Sequence, residues 1–287
     1  MSETARIGRL EDLGVLRFRG PDAASFLQGQ LSQDVERVGG HAGTLAGLHN
    51  AQGRTLAILR LAGPPDDIKA VLPAELVPQV AATLRRYVLR AKLTLIEERT
   101  LVPLGITATE AQLPALLAGL GLPAPGSALR VGAEERWLLL APADTEVERR
   151  DDWRALDIAA GVPQVYLSTS GAFVGQMLNL DCVDAISYTK GCYIGQEVIA
   201  RAHYRGRVKR RMQRFLSRSP AALGPGEAGA LDDGRTFRVV DAVAHADGRC
   251  EFLAVTALHA AAADGEDAPA GAVLPCLPLP LPYALPE

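Results

Sequence analysis

Residues 190–197 read Lys190-Gly191-Cys192-Tyr193-Ile194-Gly195-Gln196-Glu197. A cysteine stands between two glycines, just ahead of a helical pattern that runs from Gly195 to about Ala202. Glycine lets a backbone turn tightly and lets a ligand come close. A helix start presents unpaired N–H groups and the positive end of the dipole. Lys190 adds a cation. Both features favour thiolate over thiol, which makes Cys192 the candidate reactive cysteine. The plainer reading is a small packed hydrophobe, with the glycines merely shaping a helix entry. The residues by themselves leave both open. Cys182, Cys250 and Cys276 lack such flanks and read as packed thiols.

Working outward, residues 13–19 (LGVLRFR) read as a strand, and Gly20-Pro21-Asp22 starts a helix that Gly29 ends in a left-handed cap. Residues 43–49 and 54–61 read as strands around a turn, Asn50-Ala51-Gln52-Gly53. Another strand falls at 68–72. Apolar residues spaced by four (Leu76, Val80, Leu84, Val88) predict a helix between Pro73 and Leu89. Strands follow at 92–98, 101–107 and 136–141, with a loop at 121–128. The stretch 144–160 suits a helix, with acids first and then Trp153, Leu156 and Ile158. Residues 161–185 read as an extended, packed loop anchored by Phe173, Met177, Leu178 and Leu180. Strands near 208–217, 235–244 and 250–258 suggest a small β-barrel, with long turns at 219–230 and 260–269. The Pro-rich tail 275–286 reads as extended across the surface. The whole is α+β.

The chain has 287 residues, 48% hydrophobic and 22% charged, with a net charge of −3. That bounds it to one large or two smaller globular domains and excludes a general polycation. No run of about 18 apolar residues suggests a membrane span. The start lacks a leader pattern, so a bacterial cytoplasmic location is expected. Four cysteines without zinc or ferredoxin spacing predict free thiols and no metal site.

The run KGCYIGQE resembles the signature K-G-C-(Y/F)-x-G-Q-E of the YgfZ family. Further stretches resemble the same family: FLQGQLSQDV at 26–35, HNAQGRTLA at 49–57, YVLRAKLTL at 87–95, WRALDIAAGVP at 153–163, NLD at 179–181, ARAHYRGRVKR at 200–210 and the tail LPLPYALPE. The likeness spans nearly the whole chain and is weakest over 108–150 and 218–275. It implies similarity to the glycine-cleavage T-protein, an aminomethyltransferase. The implied fold is α+β, three subdomains in a ring around a central folate cavity, closed by a C-terminal β-barrel. Residues 1–45 plus 150–205 would form the folate-binding subdomain carrying the KGCYIGQE loop. Residues 46–149 would form the second subdomain and 206–287 the barrel.

The resemblance assigns the critical thiol to Cys192, framed by Lys190, Gly191, Gly195, Gln196 and Glu197. It places an aromatic against folate at Trp153, whose alternative is a helix-core residue. An indole face would stack on a flat pterin or benzoyl ring. A second stacking position of some relatives is Leu13 here, which removes one partner. Glu197 could accept from a pterin's ring N–H and amino group, or simply be a first-turn acid. Gln30, Asp34 and Asn50 lie in matching segments and could equally be caps or turn residues.

The basic run RAHYRGRVKRRMQR at 201–214 has three readings. It could be a solvated face. Arg201, Arg205 and Arg207 could receive the glutamate tail of folate. Tyr204 among arginines could contact RNA, a reading that the overall acidic balance ranks last. The resulting expectation is a monomeric accessory factor that binds tetrahydrofolate. It would support assembly or repair of iron–sulfur proteins, and through them tRNA modification, using Cys192. Whether it is itself an enzyme stays open. Two alternatives stand beside it: a folate-dependent aminomethyl transferase, and a protein- or RNA-binding scaffold with a vestigial folate site.

Overall fold

A computed structural model of the chain describes residues 5–37, 44–122, 128–131, 135–206, 208–259 and 273–286. It divides into two compact units, residues 1–46 with 59–153, and residues 47–58 with 154–287.

The first unit holds β1 (Arg6–Arg9), β2 (Leu13–Arg19), α1 (Ala23–Gln28), the outer ends of the hairpin strands β3 (Thr44–His49) and β4 (Thr55–Ala62), β5 (Asp67–Pro73), α2 (Val77–Arg85), β6 (Thr94–Glu98), β7 (Leu101–Thr107), α3 (Leu113–Gly119), β8 (Leu129–Arg130) and β9 (Arg136–Pro142). One sheet runs β3-β4-β5-β2-β6 and another β1-β7-β9-β8. Alternate residues of a strand face opposite sides, and in β2 Leu16 and Phe18 are fully buried. Helix α2 packs on β2 and β6 through Val80 and Leu84. In the second sheet, Leu104, Ile106 and Leu139 form a core with Leu113 and Leu117 of α3.

The second unit contains the hairpin tip, α4 (Trp153–Ala159) beyond its first residue, α5 (Gln196–Arg205), and six strands. These are β10 (Arg210–Pro220), β11 (Ala228–Leu231), β12 (Thr236–Ala244), β13 (Arg249–Ala257), β14 (Val273–Leu274) and β15 (Cys276–Leu279), in the order β14-β11-β12-β13-β10-β15. The two edge strands are separated in sequence by Pro275 alone. A flat six-stranded sheet would hold its edges about 24 Å apart, whereas the two peptide steps across one residue span about 7 Å. The sheet therefore curls into the expected C-terminal barrel. Phe215, Phe237 and Phe252 fill it, with ring centroids 5.5 Å apart in two of the pairs.

Several local expectations need correction. Gly29 is right-handed, at φ −81°, and caps α1 by donating its N–H to Phe26. Helix α2 stops at Arg85 although the spacing of four continues to Val88. Leu89 is 85% exposed, so nothing holds another turn. Residues 144–152 are not helical, because their backbone pairs with β1 through Arg9 N–H to Glu148 O and Arg150 N–H to Arg9 O. The long turn at 219–230 contains the start of β11. The tail does not merely lie on the surface: Cys276–Leu279 pairs antiparallel with Arg214–Ser217. It is an edge strand, where a proline such as Pro278 is tolerated. The turn at 260–269 and most of the loop at 121–128 lie outside the described residues.

Candidate functional site

The signature loop sits in the second unit and is shaped by the hairpin tip. Asn50 closes that tip. Its Oδ1 accepts from the N–H groups of Gln52 (3.0 Å) and Arg54 (2.9 Å), and its carbonyl accepts from Gly53 N–H (2.9 Å). Asn50 is thus a turn-forming residue. The tip is tied to residues 170–174 by Thr55 N–H to Phe173 O (2.8 Å), Arg54 Nη1 to Ala172 O (2.7 Å) and Ser170 Oγ to Leu56 O (2.8 Å).

Gly195 is the N-cap of α5 at φ +83°. A β-carbon there would lie 2.5 Å from the Asn50 carbonyl oxygen and 3.1 Å from Gly53 Cα. Gly53 in turn, at φ +69°, would press a β-carbon to 2.9 Å from Val198. Two glycines thus let the hairpin tip and the start of α5 touch backbone to backbone. Gly191 differs: a β-carbon there meets nothing within 4 Å.

Cys192 is exposed, and Tyr193 beside it is buried. Lys190 Nζ lies 5.3 Å from the Tyr193 ring centroid, a cation–π contact. The other thiols are disfavoured as thiolates by burial, which pushes Cys182 up to about 11 and Cys276 up to about 12, and raises Cys250. The packed-hydrophobe reading therefore fits Cys250 and Cys276, and it does not fit Cys192.

The sequence reading passed over His49 and the ring of Tyr193. His49 is 2% exposed, with its ring centroid 6.4 Å from that of Tyr193. Its Nδ1 is 3.3 Å from Thr55 Oγ1. Burial depresses His49 to about 3, so the ring is neutral at physiological pH. His49 Nε2 and the Tyr193 hydroxyl are buried without a hydrogen-bond partner among the described residues. The available signal was a histidine at the end of an apolar strand, next to the turn motif.

Gln196 is half-buried and donates its N–H to Tyr193 O (3.2 Å). Glu197 is exposed and pairs with Arg201 at 3.1 Å, one helical turn on. Arg205 is exposed near the end of α5. Arg207 lies outside the described residues. Behind the loop, the buried Arg211 donates to Asp181 (2.9 and 2.8 Å) and to Gln176 O (3.0 Å). Asn179 donates to Met212 O (2.8 Å). The Asn-Leu-Asp segment is thus a buried polar brace.

Trp153, Leu13 and Gln30 belong to the first unit. Trp153 is 5% exposed. The guanidiniums of Arg136 and Arg150 each lie 5.3 Å from its ring centroid, so its ring is engaged within that unit. Its Nε1 is buried without a partner among the described residues, as is Gln30 Oε1. Leu13 opens β2, partly buried, opposite Pro73. Among the described residues no group of three His, Cys, Asp or Glu side chains could hold a metal, and no helix is long and apolar enough to cross a membrane.

The fold is that of the aminomethyltransferases of glycine cleavage. The chain resembles the glycine cleavage system aminomethyltransferase T of Bartonella henselae with a TM-score of 0.65, covering 88% of this chain and 78% of that one at 14% identity. Within that fold, sequence narrows the assignment. The chain is 31% identical to the tRNA-modifying protein YgfZ of Serratia proteamaculans over 225 residues, 70% of this chain and 68% of the relative. It is 30% identical to that of Klebsiella pneumoniae over 268 residues, 84% and 81% of the two chains. The chain belongs to the YgfZ family. No protein-family model matches it.

Proposed function

We propose that this chain is an accessory factor that binds a reduced folate, tetrahydrofolate, and supports assembly or repair of iron–sulfur proteins. Cys192 is its working thiol. The observation that carries this reading is the exposure of Cys192, the one exposed thiol of four, on a loop that ends where Gly195 packs against Asn50. The relatives are named tRNA-modifying proteins. That name supports an effect on tRNA modification, exerted through cluster-dependent enzymes.

The residues fit a pterin in one respect. Gln30 Oε1 is an orphaned acceptor and Trp153 Nε1 an orphaned donor, and a pterin carries both amino donors and a carbonyl acceptor. An unpaired buried polar atom is costly, so a pterin group that reached either atom would relieve that cost. Trp153 would then contribute its N–H rather than an open face. A bound reduced folate supplies a one-carbon carrier, and Cys192 supplies a nucleophilic sulfur.

The test is anaerobic calorimetry with tetrahydrofolate, followed by complementation. One-to-one binding is expected, with Cys192→Ser still binding folate but failing to restore a cluster-dependent activity in a deletion strain. Full restoration by Cys192→Ser removes the thiol from the mechanism. Methylene transfer from an aminomethyl donor to the folate would instead make the chain a transferase.

A further inference from the structure

The C-terminal half of α5, together with Tyr188 from the chain ahead of it, forms an aromatic cluster that the folate reading does not use. Tyr188 and His203 stack with centroids 3.7 Å apart and planes 15° apart. Tyr204 meets His203 edge-on at 4.7 Å and 79°, and Tyr188 at 6.1 Å and 70°. The cluster has an anchored end and an open end. Tyr188 is half-buried, and burial pushes its hydroxyl up to about 12. Tyr204 is 68% exposed. Exposed aromatics normally cost the apolar surface they leave in water, so an ordered trio ending in an open phenol asks for an occupant.

The charge around it says which kind. From Val198 to Gly226 the chain has eight Lys/Arg and no Asp or Glu, although the whole protein is net acidic. Some of these cations are consumed inside the fold: Arg211 by Asp181, Arg214 by Glu251 and Arg210 by the Thr236 carbonyl and hydroxyl. Arg201 shares Glu197. Arg205 and Lys209 remain exposed. Both follow Tyr204 in sequence, one residue and five residues beyond it. An open aromatic ring followed along the chain by exposed cations is the chemistry of a single-stranded nucleic-acid contact, in which the cations follow phosphates and the ring takes a base. An acidic polypeptide would match the charges but would leave the ring unused.

We propose that the face formed by Tyr188, His203 and Tyr204, with Arg205 and Lys209, binds unpaired nucleotides of RNA, Tyr204 stacking on a base. This goes beyond the folate and thiol reading and stands without it.

The test is fluorescence anisotropy of the full-length protein with a labelled single-stranded RNA 20-mer, the duplex of the same sequence, and polyglutamate as competitor, across a salt series. The single strand should bind more tightly than the duplex. Tyr204→Ala should weaken single-strand binding about 5- to 100-fold, and Tyr204→Trp should retain it. Arg205→Gln and Lys209→Gln should each lower the salt slope by about 0.7. These positions are exposed, so thermal melts of the variants should match wild type. Equal binding of duplex and single strand with indifference to Tyr204→Ala overturns the proposal. So does polyglutamate binding as well as RNA, which would give the face to an acidic protein. Absence of RNA binding at low salt overturns it outright.

Discussion

The Gly195 α-carbon points its missing side chain at the carbonyl oxygen of Asn50, where a β-carbon would sit at 2.5 Å. The signature loop and the hairpin tip, about 145 residues apart in sequence, are held together by this absence. Replacing Gly195 by alanine adds both a left-handed backbone penalty, about 1–2 kcal/mol, and a clash with main-chain atoms that have no rotamer to escape into. Gly195→Ala should therefore lower the melting temperature by roughly 4 °C or more. Gly191→Ala meets open space and should melt like wild type. If Gly191→Ala nonetheless loses folate binding or complementation, that glycine serves ligand approach rather than the fold. Equal melting temperatures for the two variants would refute the contact.

The four thiols should separate by accessibility. In the native protein, reaction with a disulfide reagent such as Ellman's should titrate one sulfur quickly, and Cys192→Ser should abolish that phase. Cys182 should react slowly, and Cys250 and Cys276 only on unfolding. Two fast thiols, or none, would contradict the exposure pattern.

His49 gives stability a pH dependence. Its folded pKa, about 3, lies below the ordinary 6.5. Between those values the unfolded chain binds the proton and the folded chain does not. Its contribution is present above pH 6.5 and falls away on acidification toward 3, at about 1.4 kcal/mol per pH unit. In denaturant melts, His49→Gln should be less stable than wild type at pH 7.5, and the gap should close by pH 4. A gap that stays constant with pH would show that His49 is not buried neutral.

Asp241 works in the opposite sense over part of the same window. It lies in the barrel, fully buried, with its carboxylate taking bonds from Arg154 Nε and from the Tyr166 hydroxyl (2.9 Å). Burial outweighs those bonds and raises the carboxyl to about 6. The folded state holds a proton that the unfolded state has released, so this contribution is present below about pH 4 and is lost as pH rises to 6. Wild-type stability should therefore look flatter between pH 4 and 6 than His49 alone would make it. Asp241→Asn should uncover a steeper rise with pH. A shallower rise in Asp241→Asn would reverse the assignment.

Much of the strand pattern was legible in the sequence, because alternation and turn chemistry are local. β2, β7, β9, β12 and β13 fall within a residue or two of the expected limits. The start of α5 was legible too, from Gly195. What misled were segments whose backbone bonds are satisfied by a distant partner. Residues 144–152 have helix-compatible side chains, yet the Glu148 C=O and the Arg150 N–H are bonded to Arg9. The proline-rich tail looks like surface coil, yet it supplies the strand that brings the barrel's two edges together.

The candidate site divides along the same line. Sequence alone determined that Cys192 is flanked by glycines at a helix entry, that Asn50 makes a turn, and that cations gather after residue 200. These are properties of neighbours in the chain. Only the tertiary structure decided that Cys192 is exposed while Cys250 and Cys276 are buried. It also decided that Gly195 is required by the Asn50 carbonyl, that His49 and Tyr193 lie buried with their rings 6.4 Å apart, and that Tyr188 stacks on His203. Burial and long-range contact depend on which surfaces the whole chain removes from water, and no local pattern encodes that.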